Sequence, residues 1–230
     1  MNNLAKSLVF NKLTAQLFLK SVLKIHSLSY KVSGKLATIL NDGVHPKKNI
    51  IKYNDWFVEN IQDNGVILDI GSNTGMMSEM MCAKAAFVYG IEIQSNLVRD
   101  AKVRRQKDNN EFICADATIF DYANCRPIDC LTLSNVLEHI EHRVDFLKNI
   151  IKKVKWKDES NKKLLIRVPM IDREWIAVYK KELNIEYRLD TSHFTEYTFI
   201  KFSKEMKQSG ILILNHHVVF GEIYAICKAS

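Results

Sequence analysis

The sequence of 230 residues predicts an α/β fold in which helices cover both faces of a seven-stranded, mostly parallel sheet. Two observations indicate this class. Five short β-favouring runs alternate with helix-compatible segments between residues 66 and 170, as in βαβ units. Two further runs, 211–220 and 222–228, are separated only by a short turn, so they predict an antiparallel arrangement at the end of the sheet.

The first strand and the loop after it carry the most specific pattern, V-I-L-D-I-G-S-N-T-G at residues 66–75. Gly71 and Gly75 allow the backbone to turn sharply and let a ligand approach without a Cβ clash. The next strand, F-V-Y-G-I-E-I, carries an acidic residue, Glu92, near its carboxyl end. A carboxylate at this edge of the sheet can accept both hydroxyls of a ribose. The two segments therefore predict a nucleoside ligand.

The residues within this loop disfavour a dinucleotide. The dinucleotide fingerprint requires G-x-G-x-x-G, but here Asn73 and Met76 occupy its second and third glycine positions. The pattern instead resembles motif I of class I S-adenosylmethionine (SAM) methyltransferases, D/E-x-G-x-x-x-G, which Asp69, Gly71 and Gly75 match. The resemblance implies a Rossmann-like domain, SAM as the cofactor and S-adenosylhomocysteine (SAH) as a product.

Three later segments extend the resemblance in the order that this family requires. The strand 111–117 would place Asp116 to accept the adenine amino group, beside the backbone N–H of Ala117. The segment 129–140 predicts a strand opening into a helix, whose S-N-V-L-E-H would pass beneath the methionine end of SAM, and 163–170 predicts a fifth strand. The resemblance implies these cofactor-binding residues: Asp69, Gly71, Ser72, Asn73, Gly75, Glu92, Ile93, Asp116, Ala117, Asn135 and Val136.

Composition predicts one cytoplasmic enzyme domain with a helical extension. The five cysteines form no C-x-x-C pair, which favours reduced thiols, and no apolar run approaches the roughly 20 residues of a membrane span. We expect a basic helical extension or cap at 1–60. The methyltransferase domain is expected at 61–230, with a lid insertion at about 171–198.

The positive charge is concentrated at the N-terminus. Residues 1–52 contain nine lysines and one acidic residue, whereas the net charge of residues 53–230 is close to zero. Such asymmetry indicates an anionic partner, which could be a phosphorylated substrate, a membrane surface or nucleic acid; a solvated helical cap is the simpler interpretation. Because the apolar residues do not form one stripe, we expect one or two helices packed on the domain or between the protomers of a homodimer.

Aromatic and basic residues on either side of the sheet-forming core predict the acceptor site. The H-P-K at 45–47 and the Y-x-x-W-F at 53–57 resemble methyltransferases of bacterial surface-polysaccharide gene clusters. That resemblance implies a small polar acceptor that carries a sugar or phosphate, and a capsule modification of the O-methyl phosphoramidate type is one candidate. The predicted substrate-binding residues are His45, Lys47, Lys48, Tyr53, Trp56, Arg167 and Arg173.

Two histidines are candidates for the catalytic base. Methyl transfer displaces sulfur from the sulfonium methyl, so positioning supplies much of the acceleration, but a neutral hydroxyl acceptor must also lose its proton. His193 is the preferred base, with Glu196 or Asp190 to orient it. His139 is the second candidate, or it only holds its loop through a hydrogen bond. An acceptor that is already anionic would need no base.

Other functions stay open at this point. RNA ribose methylation is compatible with the basic N-terminus, although nucleic acid is not the favoured partner. A non-catalytic SAM-binding protein would share the same motifs without turnover. Base amino-group methylation is disfavoured, because L-S-N-V stands where an N/D-P-P-Y/F motif would be needed. No metal is predicted, because His and Asp residues show no metal-ligand spacing.

Overall fold

The structure, a computed structural model, describes residues 12–230, with side chains from residue 14 onward. Within these residues the helices are α1 (Lys12–Leu40), α2 (Pro46–Ile51), α3 (Tyr53–Asn60), α4 (Met76–Met81), α5 (Ser95–Arg105), α6 (Arg143–Lys153), α7 (Trp175–Glu182) and α8 (Phe199–Gln208). The strands are β1 (Val66–Ile70), β2 (Phe87–Glu92), β3 (Asn110–Cys114), β4 (Cys130–Ser134), β5 (Lys162–Pro169), β6 (Ile211–Val219) and β7 (Glu222–Ala229). Three short 3-10 turns lie at Tyr122–Asn124, Leu137–His139 and Ile171–Arg173.

All seven strands belong to one sheet, in the order β3-β2-β1-β4-β5-β7-β6. Strands β1 to β5 pair in parallel, and β7 lies antiparallel between β5 and β6. The predicted mostly parallel sheet with a terminal antiparallel arrangement is confirmed. The strand order reverses at β1, which has β2 on one side and β4 on the other. The carboxyl ends of these strands therefore border a position at which α/β proteins bind ligands.

Helices cover both faces of the sheet, as predicted. Alternate residues of a strand point to opposite faces, and β1 shows this directly. Ile67 packs in a buried cluster with Phe57 of α3 on one face. Leu68 packs on the other face in a larger cluster that includes Leu147 of α6 and Phe202 of α8. The sheet is therefore buried on both sides, which explains why its central strands are continuous apolar runs.

One predicted element boundary differs from that observed. The segment 129–140 does not pass from a strand directly into a helix, because the 3-10 turn Leu137–His139 separates β4 from α6. The N-cap of α8 is Thr198, whose side chain accepts a hydrogen bond from the N–H of Lys201. Thr195 lies further upstream and accepts a hydrogen bond from Lys201 Nζ instead, at 2.5 Å.

The described chain divides into two compact units. One contains α1 and α2 together with residues 179–186; the other comprises residues 53–178 and 187–230 and holds the whole sheet. In the first unit, Lys180 Nζ donates to Ser27 Oγ of α1 at 2.9 Å. The predicted helical N-terminus is confirmed over α1. Helix α3, which the prediction placed in the extension, belongs to the sheet unit, and a domain boundary at residue 60 stays a prediction. No helix among residues 12–230 is long and apolar enough to cross a membrane.

Candidate active site

The loop between β1 and α4 depends on two glycines. Gly71 has a φ of +73°, and a Cβ on it would lie 2.5 Å from Cγ2 of Val136. Gly75 has a φ of +76°, and its Cβ would lie 2.5 Å from the Phe112 ring. A larger residue at either position would be strained and would also clash with a neighbouring segment. The glycine pattern that predicted a ligand loop is therefore also required by the packing of the loop itself.

Glu92 holds this loop from the end of β2. Its side chain is largely buried, its Oε2 accepts from the N–H of Asn73 at 3.0 Å, and its Oε1 accepts from the N–H of Gln94 at 2.9 Å. An ionised carboxylate has about four acceptor positions, so two are left for other donors. This geometry is compatible with the predicted contact to ribose hydroxyls, which stays a prediction.

Asp69 is buried inside the protein and does not line the surface of the loop between β1 and α4. The residue is fully buried; its Oδ2 accepts from Ser78 Oγ at 2.5 Å and its Oδ1 from Thr132 Oγ1 at 2.8 Å. Asp69 therefore ties β1 to α4 and β4 from inside the protein. Burial raises the pKa of Asp69 to about 6; the two hydrogen bonds oppose this rise and the charge of Glu92 adds to it. A direct contact with the cofactor stays a prediction.

Replacing Asp69 with asparagine should remove a pH-dependent part of the folding free energy. A carboxyl whose pKa is higher in the folded state than its ordinary value of 3.8 stabilises the fold below about pH 4, and this contribution is lost as the pH rises through about 6. The full change corresponds to about 3 kcal/mol. We expect urea unfolding to show the wild type losing stability relative to Asp69→Asn between pH 4.5 and 7.5. A difference that is constant over this range would contradict the prediction.

The ends of β2 and β3 present the residues predicted to contact adenine. Asp116 lies in the loop two residues beyond β3, and its Oδ1 accepts from the N–H and the hydroxyl of Thr118 at 2.8 and 2.7 Å. The carbonyl of the next residue, Ala117, accepts from the Tyr122 hydroxyl at 2.8 Å. Ile93 is 63% exposed, so it offers an apolar surface at the same edge. Asp116 and Ala117 lie in the loop after β3 and not in the predicted strand, and their contacts with adenine stay predictions.

In the described part of the chain, two buried polar atoms without partners lie near the carboxyl ends of the strands, Arg167 Nη1 beside the segment after β4 and Ser72 Oγ beside β2. Arg167 is buried, its guanidinium lies 3.7 Å from the centre of the Tyr53 ring, and its Nε donates to Asn135 Oδ1 at 3.3 Å. Among the described residues, neither Arg167 Nη1 nor Ser72 Oγ has a hydrogen-bond partner. Buried donors of this kind are rare in folded proteins and are costly unless something pairs with them. The position of the orphaned atoms therefore fits a bound polar ligand.

A cluster of Glu138, His139 and His193 lies beyond Asn135 and Val136, and we call it the EHH cluster. One potential ligand atom from each residue lies within 4.8 Å of those of the other two, and the two imidazole centres are 4.7 Å apart. Glu138 is fully buried, and within the described chain neither of its carboxyl oxygens has a partner. Burial raises the pKa of Glu138 to about 8, although Arg167 lowers it. Burial and the nearby His193 lower the pKa of His139.

Hydrogen bonds determine which nitrogen of His193 carries the proton. Its Nδ1 lies 3.3 Å from Oε1 of Glu196. Burial opposes ionisation of Glu196, but hydrogen bonds from His193, Leu189 and Arg173 lower its pKa overall. An ionised carboxylate only accepts, so the proton of neutral His193 lies on Nδ1 and its lone pair on Nε2. Of the two predicted orienting residues, Glu196 is the one that contacts His193.

Hydrogen bonds also determine which nitrogen of His139 carries the proton. Its Nδ1 lies 3.0 Å from Ser192 Oγ, and that hydroxyl donates its one proton to Asp190 Oδ1 at 2.7 Å. The pKa of Asp190 is lowered by its hydrogen bonds from Ser192, so this carboxylate also only accepts. Ser192 Oγ must therefore accept from Nδ1 of His139, which leaves the lone pair of His139 on Nε2. Both imidazoles are held in the same tautomer.

Two residues predicted to bind the acceptor, Arg173 and Trp56, also have contacts within the protein. Arg173 donates to the carbonyls of Met170 and Tyr187, both at 2.8 Å, and forms a buried ion pair with Glu196. Trp56 packs edge-on against Tyr224, with ring centres 5.2 Å apart. These contacts use most of the donors of Arg173 within the protein. A role in acceptor binding for either residue stays a prediction.

The three remaining acceptor residues belong to the other unit. His45 is the N-cap of α2, where its Nδ1 accepts from the N–H of Lys47 at 3.1 Å, and Lys48 lies in the last turn of that helix. Their contact with an acceptor also stays a prediction. Glu138 is not among the residues that the sequence predicts for the site. Its burial beside His193 arises from tertiary structure that the L-E-H string does not encode.

Comparison with known proteins finds relatives for part of the chain. Residues 68–156 match the family model of a methyltransferase domain. The ubiquinone biosynthesis O-methyltransferase of Nitrosomonas europaea is 27% identical over 107 residues, which are 46% of this chain and 45% of that protein. The chain thus spans less than half the length of this curated relative.

Solved structures share the fold over a larger part of the chain. DhpI in complex with SAH has a TM-score of 0.61 at 14% identity and covers 90% of this chain and 97% of its own. The methyltransferase in complex with the Haloferax volcanii activator Trm112 has a TM-score of 0.60 at 9% identity and covers 80% of this chain and 92% of its own. The matched residues, the strand order and the glycine loop lead to one conclusion: the chain contains a class I, SAM-dependent methyltransferase domain.

Proposed function

We propose that this chain transfers the methyl group of SAM to an oxygen atom of a small polar acceptor. The observation that carries the proposal is the pair of oriented histidines, His139 and His193, each with its Nε2 lone pair available, next to the segment that follows β4. The partial match to O-methyltransferases of ubiquinone biosynthesis also supports oxygen as the acceptor atom.

The residues at the edge of the sheet fit SAM. Two acceptor positions on Glu92 remain for the ribose hydroxyls, Asp116 and Ile93 would contact adenine, and the orphaned Ser72 hydroxyl offers a further polar contact. When bound, SAM supplies an electrophilic methyl group: the bond from methyl to the acceptor oxygen forms as the bond to sulfur breaks, and its electron pair stays on sulfur in SAH. The proposed task of the protein is to align the acceptor with that methyl group.

The histidines would assist removal of the acceptor proton. A hydroxyl oxygen that gains a methyl group must release its proton, and a neutral imidazole with a free lone pair is suited to take it or to orient it. His193 is held by Glu196, which would also stabilise a positive charge on the ring. The lowered pKa of His139 keeps that ring neutral and able to accept.

We extend the proposal to acceptors that carry a sugar hydroxyl or a phosphate group, such as precursors of a bacterial surface polysaccharide. The buried guanidinium of Arg167, with its unpaired Nη1, supports an anionic or strongly polar acceptor, because charge-assisted hydrogen bonds are the strongest that a protein offers. A protein partner comparable to the activator in the Haloferax volcanii complex is a further candidate.

A test of this proposal measures SAH release with a panel of acceptors. The panel contains nucleotide sugars, phosphorylated sugars, dihydroxyphenyl compounds related to ubiquinone precursors, and RNA. Turnover with a small hydroxyl-bearing compound is expected. Turnover with RNA alone would instead favour ribose methylation. SAM binding without SAH release from any compound would favour a non-catalytic SAM-binding protein.

Replacing His193 with glutamine should lower kcat by about 10²- to 10⁴-fold, which is the usual contribution of a positioned proton-transfer group. The Kd for SAM should stay within twofold of the wild type, because His193 lies outside the loop that Glu92 holds. The matched control is His142→Gln, which changes an exposed histidine outside the EHH cluster. A wild-type kcat in His193→Gln would exclude His193 from the reaction.

A further inference from the structure

In the EHH cluster, two imidazole nitrogens and one carboxyl group offer lone pairs, and these atoms lie within 4.8 Å of one another. His139 and His193 both keep their protons on Nδ1, so each offers the lone pair of Nε2. Within the described residues, the two carboxyl oxygens of Glu138 have no hydrogen-bond donor, although the side chain is fully buried. Buried polar groups in folded proteins are normally paired, and a cation is a partner that would satisfy the carboxyl group and both imidazole lone pairs together.

We propose that Glu138, His139 and His193 together bind one divalent first-row transition-metal ion, such as Zn²⁺ or Mn²⁺. Two imidazoles and one carboxylate are a known donor set for catalytic zinc and for other open metal sites. Mg²⁺ fits less well, because it prefers oxygen ligands to imidazole. The spacing along the chain gave no sign of this site, since His193 lies in a different segment from Glu138 and His139.

The outer contacts of the cluster match those of metal-binding histidines. Such histidines usually donate their other ring N–H to a carboxylate or another acceptor, which fixes the ring orientation. His193 donates to Glu196, whose Oε1 also accepts from the Leu189 N–H at 2.5 Å. His139 donates to Ser192, which in turn donates to Asp190. Both rings are therefore oriented before any ion arrives.

The distances allow a metal site after a small adjustment. The potential ligand atoms lie within 4.8 Å of one another, whereas neighbouring ligands of a tetrahedral Zn²⁺ are roughly 3.3 Å apart. Glu138 and His193 are buried, whereas His139 is exposed, so His139 is the ligand that would move on metal binding.

The metal would also change how the histidines act in the proposed function. Three protein ligands leave coordination positions for an acceptor oxygen, and a bound cation lowers the pKa of a hydroxyl that it contacts, so the proton can pass to water. In this arrangement His193 acts as a ligand and not as the base. Only this catalytic consequence rests on the proposed function; the binding of the ion does not.

The experiment measures metal binding without any acceptor. Untagged protein is treated with a chelator, dialysed and titrated with Zn²⁺ by calorimetry; Mn²⁺ binding is followed separately by electron paramagnetic resonance. We expect one ion per chain. Glu138→Gln and His139→Gln should each weaken binding at least tenfold, since the loss of even an outer contact costs about 10- to 100-fold in affinity. His142→Gln is the matched control and should bind as the wild type does.

Two outcomes would overturn the proposal. One is the absence of any stoichiometric binding of either ion. The other is binding that is equally tight in Glu138→Gln and His139→Gln, because the ion would then lie elsewhere. Thermal unfolding of each variant shows that the fold is retained, and the near-isosteric glutamine at position 138 keeps this test valid if His193 variants do not fold. Metal binding without turnover would reject only the proposed function, and turnover that persists after metal removal would reject only the catalytic role of the ion.

Discussion

Replacing Glu92 with glutamine is expected to weaken SAM binding about 100-fold while the protein stays folded. The carboxylate accepts from the N–H groups of Asn73 and Gln94, and its remaining acceptor positions face the proposed ribose site. Hydrogen bonds to a charged group contribute about 1.5–3 kcal/mol each, and roughly 2.7 kcal/mol corresponds to a factor of 100. A glutamine would keep one acceptor oxygen but would direct an NH₂ group at one of the two loop N–H donors.

Calorimetric titration with SAM and with SAH measures this effect directly. The matched control is Glu111→Gln, which neutralises an exposed carboxylate on the neighbouring strand β3 and should leave both affinities within twofold of the wild type. Thermal unfolding without ligand separates loss of binding from loss of structure. If Glu92→Gln binds SAM as tightly as the wild type does, the ribose assignment is wrong, and the glycine loop holds a different part of the ligand.

The sheet could be predicted because each strand is specified by a short run of neighbouring residues. Each central strand is an apolar run bounded by turn residues, and burial on both faces makes such runs continuous. The end of a helix is less well determined by sequence. Thr195 and Thr198 are both chemically able to cap α8, and the choice depends on where the backbone N–H groups of the first turn point.

The site was predictable only where its residues are close in sequence. Gly71, Gly75 and Glu92 follow from the strand–loop–helix pattern, and their positions agree with it. Asp69 matched the motif, but its burial against Ser78 and Thr132 depends on two other elements. Ion pairs between residues that are distant in the sequence cannot be predicted from it either. From the sequence alone, a basic residue in the predicted lid is a reasonable candidate to bind the methyl acceptor. Only the structure shows that one such residue pairs with a buried carboxylate of the protein.

Arg173 is that residue, and replacing it with methionine is expected to destabilise the protein by about 3–5 kcal/mol. The side chain of its partner, Glu196, is 0% exposed, and the loss of one member of a buried ion pair leaves the other charge uncompensated. The carbonyls of Met170 and Tyr187 lose a donor as well. Urea unfolding at constant pH measures the change. Arg99→Met, which removes an exposed arginine on α5, should stay within about 0.5 kcal/mol of the wild type.

The alternative role of Arg173 makes the opposite prediction. If it binds the acceptor, as the sequence predicted, Arg173→Met should raise KM and leave the free energy of unfolding close to the wild-type value. If Arg173 has a structural role, Arg173→Met should lower the free energy of unfolding. Its activity should fall as well, because Glu196 no longer holds His193 in place. The double variant Arg173→Met/Glu196→Gln then separates the two effects. Removal of both charges should recover part of the lost stability, since no unpaired charge stays buried, but should not restore the orientation of His193.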